Sequence, residues 1–212
     1  MPATVVASQP VVVDFAAVPP VLADRLYRFS AEQYDRMVEN GILTADDKAE
    51  LIEGWLVKKM TQNPPHPRAV SRLARQLFQF LSREWDIRIQ GPIALARSRP
   101  EPDLTVSRGP DSRYARHHPR PADIGLLVEV GDATLLADRR SKVPLYAAGK
   151  IAEVWLVNLV QGQVEVYTQP RGGRSAVYRQ RKEYRSGEEV PLILDGKEMA
   201  RLSVSHLCLL DD

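Results

Sequence analysis

Apolar residues recur along this chain with two different periods, and the points where the period changes mark its elements. Tyr34, Met37 and Val38 have helical spacing. Ser30-Ala31-Glu32-Gln33 before them has the form of a capping box, and Gly41 supplies a stop. In "ELIEGWLVKKM", β-type residues flank Glu53-Gly54, which predicts a hairpin turning there. A longer amphipathic helix is predicted over Pro67–Trp85. Val70, Leu73, Leu77, Phe80 and Leu81 line its apolar face, and Arg68, Arg72, Arg75, Gln79 and Arg83 recur on the other. Strands are predicted over Ile87–Ala96, Asp103–Ser107 and Ile124–Val130, then a helix over Asp138–Gly149. "EVWLVNL" and "VEVYT" read as two strands joined by the tight "VQGQ" turn. "SAVYRQRKEYR" and "VPLIL" read as two more, and a short helix near Ser203–Leu209 closes the chain. Strand, helix and strand around residues 124–158 form one crossover, so part of the sheet has to be parallel or mixed.

Charged residues inside these apolar runs are the candidates for chemistry. Asp103 follows Pro102 at the head of one run, Glu129 lies inside another, and Lys142 comes thirteen residues later. A carboxylate in a strand is costly to desolvate unless something cationic sits beside it. Two such carboxylates and a lysine are the usual equipment for Mg²⁺-assisted cleavage of a phosphodiester. Strand alternation puts Gly125, Leu127 and Glu129 on one face and Leu126, Val128 and Val130 on the other. Each candidate has a structural alternative. Asp103 reads equally as a loop cap, Glu129 as a buried partner of an arginine, and Lys142 as an exposed pair with Asp138 of little energetic value. Pro144 means that the helix is kinked or begins close to that proline. Glu50 and Glu53 lie on the hairpin, where completion of a metal site competes with a solvated surface. His66, among prolines, reads as a helix-start residue, and His117-His118 has no zinc-type partner. There is no glycine-rich phosphate loop and no G-x-S-x-G elbow.

Composition narrows the class. The 212 residues, 44% hydrophobic and 26% charged, fit one globular domain with a full core. A net charge of +2 is too weak to imply nucleic acid without local clustering. Clustering is present in the arginine stripe of the long helix and in the loop "SRGPDSRYARHHPRPAD", which either touch phosphates or are solvated. Cys208 is the only cysteine, which excludes an intramolecular disulfide and points to a reducing, cytoplasmic compartment. It reads as a small buried apolar residue. No apolar run approaches a membrane span. Residues 1–27 are broken by prolines and lack the basic start of a signal peptide, so they read as an irregular arm before a domain at 28–212.

At these residues the chain resembles the Uma-two family, a branch of the PD-(D/E)xK restriction-endonuclease-like superfamily. The matching segments are "YRFSAEQYDRMVENGIL", "AELIEGWLVKKM", "NPPH", "EPDLTV", "LLVEVGDATLLADRRSKVPLYAAGKIAEVWLVNL" and "VEVY". The resemblance implies an α/β fold with a restriction-endonuclease-like core, a central mixed β-sheet flanked by helices. It implies that Asp103 and Glu129 ligate Mg²⁺ or Mn²⁺, with the Val130 carbonyl as a further ligand. Glu50 matches the acid of the family's "ELI(D/E)G" hairpin and would serve a second metal or a water. Lys142 matches the lysine before the "LYA" segment. In the superfamily pattern the lysine stands two residues after the acid, where this chain has Gly131, so Lys142 supplies the amine from the following helix. "GDAT" replaces the commoner "SPST", and Asn158 stands where aspartate is frequent. The expected activity is metal-dependent hydrolysis of DNA phosphodiester bonds, with a homodimer as one arrangement that would cut both strands. The alternatives are a catalytically silent nucleic-acid-binding or interaction module with the same fold, and a hydrolase of another phosphoester.

Overall fold

The computed structural model describes residues 25–132, 138–173 and 175–210, with Asp138 described by its backbone only. The expected arm over residues 1–27 therefore lies, up to residue 24, outside the described residues. Helix α1 (Ala31–Glu39) starts at the capping box: Ser30 Oγ accepts from the Gln33 N–H, and the Gln33 side chain accepts from the Ser30 N–H. Strands β1 (Ala49–Ile52) and β2 (Trp55–Lys58) form the expected hairpin. Glu53 and Gly54 at its turn both have positive φ, 48° and 86°, as a type I′ turn requires. Leu51 packs with Ala31 and Tyr34, and its carbonyl accepts from the Arg99 N–H, which ties the hairpin to the body of the domain.

Six strands form the central sheet in the order β3-β4-β5-β6-β7-β8. They span Trp85–Ile89, Leu104–Arg108, Ile124–Gly131, Glu153–Asn158, Gln163–Arg171 and Val177–Arg185. Only β5 and β6 run parallel, because the connection between them crosses over the sheet; every other neighbour pair is antiparallel. The sheet is therefore mixed, with helices on both faces.

On one face lies α2 (Pro65–Phe80), which is shorter than the expected Pro67–Trp85. Pro65 and Pro67 sit in its first turn, where no N–H has an intrahelical partner. At the other end Leu81 is extended, with φ −98° and ψ 134°, and Trp85 opens β3 instead. Phe80, expected on the apolar face, is 46% exposed at the helix end. Val70, Leu73 and Leu77 do pack against Leu126, Val128 and Val130, together with Trp155. The same core is covered by the hairpin β9 (Glu189–Leu194) and β10 (Lys197–Ser203) and by the short helix α4 (Val204–Leu207). Cys208 is buried there, and burial pushes its thiol up to about 12. Strand β10 lacks a clear apolar period, because most of its residues are exposed or half-buried.

The opposite face carries α3 (Val143–Ala148), preceded by one π-helical turn over Asp138–Lys142. Pro144 falls in the first turn of α3, so the α-helix proper begins at the proline instead of running through it. Strand β3 stops at Ile89, well short of Ala96. Gln90 has φ 49°, and the chain then turns beneath this face, burying Ile93 and Leu95 against Tyr146 and Leu156. One side-chain assignment is reversed. The β4–β5 register shifts between Val106 and Ser107, which leaves Gly125 as an extra residue. A Cβ there would meet the Trp85 ring at 2.7 Å and Leu194 at 2.8 Å, so Gly125 faces the α2 side, away from Leu127 and Glu129. No helix of the described residues is long and apolar enough to cross a membrane.

Candidate active site

Antiparallel pairing of Leu104 with Val128 sets the position of Asp103, the residue just before β4, beside the end of β5. Its Oδ2 accepts the Val130 N–H at 2.8 Å and lies 3.1 Å from His66 Nε2. Glu129 sits in β5 and is only 2% exposed. Its Oε1 accepts the Tyr146 hydroxyl, and its Oε2 accepts from Lys142 Nζ at 3.2 Å. Lys142 ends the π turn and points back at the sheet, where its ammonium is also 4.0 Å from Glu50 Oε1. Glu50 Oε2 in turn accepts the Glu101 N–H at 3.0 Å. The result is a largely buried chain of charges, Glu50–Lys142–Glu129, with Asp103 just before the adjoining strand.

The residues singled out from sequence are thus brought to one end of the sheet, from four separate segments. Glu50 is 6% exposed, not solvated. Glu53 is a turn residue whose N–H donates to Ser98 Oγ, and it stays outside the ion chain. Val130 takes part through its N–H. The described partners of Glu129 include a lysine and a tyrosine.

Two residues were missed. His66 reads as a helix-start residue from sequence, yet the first turn of α2 buries it against Asp103. Burial alone would lower its pKa, but the hydrogen bond and charge of Asp103 outweigh this and raise it. Tyr146 is four residues after Lys142, one helical turn along the same face, and that spacing was the available signal. The matching segment "NPPH" includes His66, but nothing local named its partner, which lies 37 positions away on another element. The arginines of α2 fared differently. Arg72 donates to the His206 carbonyl of α4, and α2 covers the face opposite Glu129. In the arginine-rich loop, Arg108 pairs with Asp195 and Arg113 with Asp123.

The donor set is suited to a hard divalent cation, since Asp103, Glu129 and Glu50 offer carboxylate oxygens. Asp103 Oδ1 and Glu50 Oε1 carry no hydrogen bond among the described residues. A closed cage is not preformed: no group of three or more His, Cys, Asp or Glu among the described residues is arranged to hold a metal. Lys142 supplies the positive charge between Glu129 and Glu50.

A family model described as "Putative restriction endonuclease", Uma2, matches residues 31–204. The chain belongs to the Uma2 family. That span includes every residue of the site, from Glu50 to Tyr146. Among solved structures, a protein from Anabaena variabilis ATCC 29413, described as a putative nuclease belonging to DUF820, superposes with a TM-score of 0.65 at 14% identity. The alignment covers 85% of this chain and 98% of that one, so the Uma2 domain and that protein share a fold. No curated protein matches the chain. Family and fold together make this a restriction-endonuclease-like domain of a nuclease family.

Proposed function

We propose that this Uma2 domain is a Mg²⁺- or Mn²⁺-dependent endonuclease that hydrolyses DNA phosphodiester bonds. The observation that carries the reading is the Lys142 ammonium within 3.2 Å of Glu129 and 4.0 Å of Glu50, with Asp103 at the same end of the sheet. Asp103 and Glu129 would hold the cation, with Glu50 and the Val130 carbonyl as further oxygens. Such a cation polarises a phosphoryl oxygen and lowers the pKa of bound water. His66 fixes the rotamer of Asp103, and Tyr146 fixes that of Glu129, so both carboxylates are oriented before substrate arrives. Lys142, freed from the carboxylates by the cation, would orient the attacking water or stabilise the charge that builds on the phosphoryl group.

Cleavage of plasmid and single-stranded DNA with Mg²⁺ or Mn²⁺, against EDTA and a Glu129→Ala control, tests this reading. Divalent-dependent nicking that disappears in Glu129→Ala is expected. The absence of a preformed cage among the described residues favours a second reading, a nucleic-acid-binding module that does not cut. DNA binding without turnover in any divalent cation would establish it.

A further inference from the structure

Two strands from Glu129 lies a second buried carboxylate that the mechanism above does not use. Glu165 in β7 has no exposed surface. Pairing of Glu129 with Leu156 and of Leu156 with Glu165 puts all three on one face. At about 4.8 Å per strand, Glu165 is roughly 10 Å from Glu129. Arg139 grips it as a fork, through Nε at 3.0 Å and through Nη2. Arg181 Nε donates at 3.1 Å from the edge strand β8, and the Tyr167 hydroxyl at 2.6 Å. Burial would raise the Glu165 pKa, but these donors and charges outweigh it and hold the carboxyl below its usual range, so the group is ionised.

One arginine would satisfy Glu165, yet two converge on it. Arg181 also pairs with Glu183, and Glu183 with Arg185, so among these described ion pairs three arginines share two carboxylates. The side chains of Arg139 and Arg181 remain 26% and 42% exposed, although the carboxylate that orients them is sealed. A buried ion pair adds little stability over apolar residues of the same volume, so stability alone is a weak reason for this arrangement. Arg139 also belongs to the same π turn as Lys142. A single turn thus delivers an amine to Glu129 and a guanidinium to Glu165.

We propose that Arg139 and Arg181, held by Glu165, form a backbone-phosphate subsite for the DNA strand flanking the reacting position at Glu129 and Lys142. This rests on the nuclease reading above. The roughly 10 Å between the two carboxylates puts this subsite within a few nucleotides of the reacting phosphodiester, for a rise of about 3.4 Å per nucleotide along the duplex axis. The guanidinium N–H groups not engaged by Glu165 or Glu183 remain as donors to phosphate oxygens, and their fixed orientation lowers the entropic cost of binding. Such a subsite positions the strand without reading its sequence.

The test compares wild type, Arg181→Ala, Arg181→Lys and Arg139→Ala, with Arg201→Ala as the control on the β9–β10 hairpin. Binding of labelled single-stranded and duplex DNA is read by anisotropy in EDTA across a salt series. Arg181→Ala should weaken binding by about 5- to 10-fold, and the slope of log K against log salt should fall by about 0.7–0.9 for each phosphate no longer neutralised. Arg181→Lys should recover part of the slope, and Arg201→Ala should match wild type. In the cleavage assay the loss should appear in KM, with kcat nearly unchanged. Thermal melting verifies that Arg181→Ala, at an edge-strand position, is folded. If wild type cleaves DNA and Arg181→Ala keeps the same KM and salt slope, the subsite is wrong and the nuclease reading stands. Arginine-dependent binding without cleavage by wild type leaves the subsite standing and removes the hydrolytic reading. Absence of DNA binding at low salt overturns both.

Discussion

Replacing Lys142 with Met removes the ammonium from the centre of the ion chain and keeps most of the apolar stem. The side chains of Lys142, Glu129 and Glu50 are 17%, 3% and 7% exposed, with the ammonium 3.2 Å from Glu129 and 4.0 Å from Glu50. At an effective dielectric constant near 20, the closer pair alone corresponds to about 5 kcal/mol of attraction, which desolvation of the ammonium partly offsets. Removing one partner of a buried pair costs roughly 3–5 kcal/mol, because the other charge is stranded. The Tyr146 hydroxyl remains on Glu129 and reduces that penalty. A loss of about 2–4 kcal/mol is therefore expected, which for a domain of this size lowers Tm by roughly 5–15 °C in EDTA. If a divalent cation takes over the charge compensation, Mg²⁺ should raise the Tm of Lys142→Met more than that of wild type. On the proposed nuclease reading, turnover should stay low in both conditions, because the missing group would act on the transition state. Calorimetric melting with and without Mg²⁺ measures both effects. A Tm within about 2 °C of wild type in EDTA would refute the energetic role of the ion chain. A large drop with no added Mg²⁺ response would refute the idea that lysine and cation share Glu129.

Three further outcomes follow from the same structure. Glu153 in β6 is 7% exposed and hydrogen-bonded by Trp155 Nε1 at 2.6 Å; burial pushes its carboxyl up to about 7, from 4.5. A raised carboxyl pKa means the folded state holds the proton more tightly, so this stabilisation is complete below about pH 4.5 and is lost as pH rises through about 7, by on the order of 2–3 kcal/mol. Glu153→Gln should flatten the decline of the urea midpoint between pH 5 and 8, and parallel curves for variant and wild type would contradict the burial argument. Gly125→Ala should cost about 1–3 kcal/mol through the clash with Trp85 and Leu194, read as a lower urea midpoint at unchanged m-value. Tyr146→Phe should lower kcat with little change in KM, and cost about 1–3 kcal/mol by leaving Glu129 Oε1 short of a donor; an unchanged kcat would reduce Tyr146 to packing.

Local rules were enough to read several elements from the sequence. The capping box at Ser30, the Glu53-Gly54 turn, the apolar stripe of Val70, Leu73 and Leu77, and the crossover from β5 to β6 each depend on neighbours within a few residues or one repeat period. Asp103, Glu129 and Lys142 stood out for the same reason, as charges in or beside apolar runs. The elements that were misread are those whose limits depend on tertiary packing. The helical period continues past Phe80, but the chain leaves it to supply Trp85 to the sheet edge. A single extra residue in the β4–β5 pairing turns Gly125 to the opposite face, which strict alternation cannot register. Partnership was the least visible property. Nothing local marks His66 for Asp103, Glu50 for Lys142, or Arg139 and Arg181 for Glu165, because each pair joins different elements across 26, 37 or 92 positions, or 16 in the shortest case. Sequence spacing governs which side chains share a face, whereas sheet order and helix docking govern which faces meet; charges separated along the chain become partners only when folding removes the water between them.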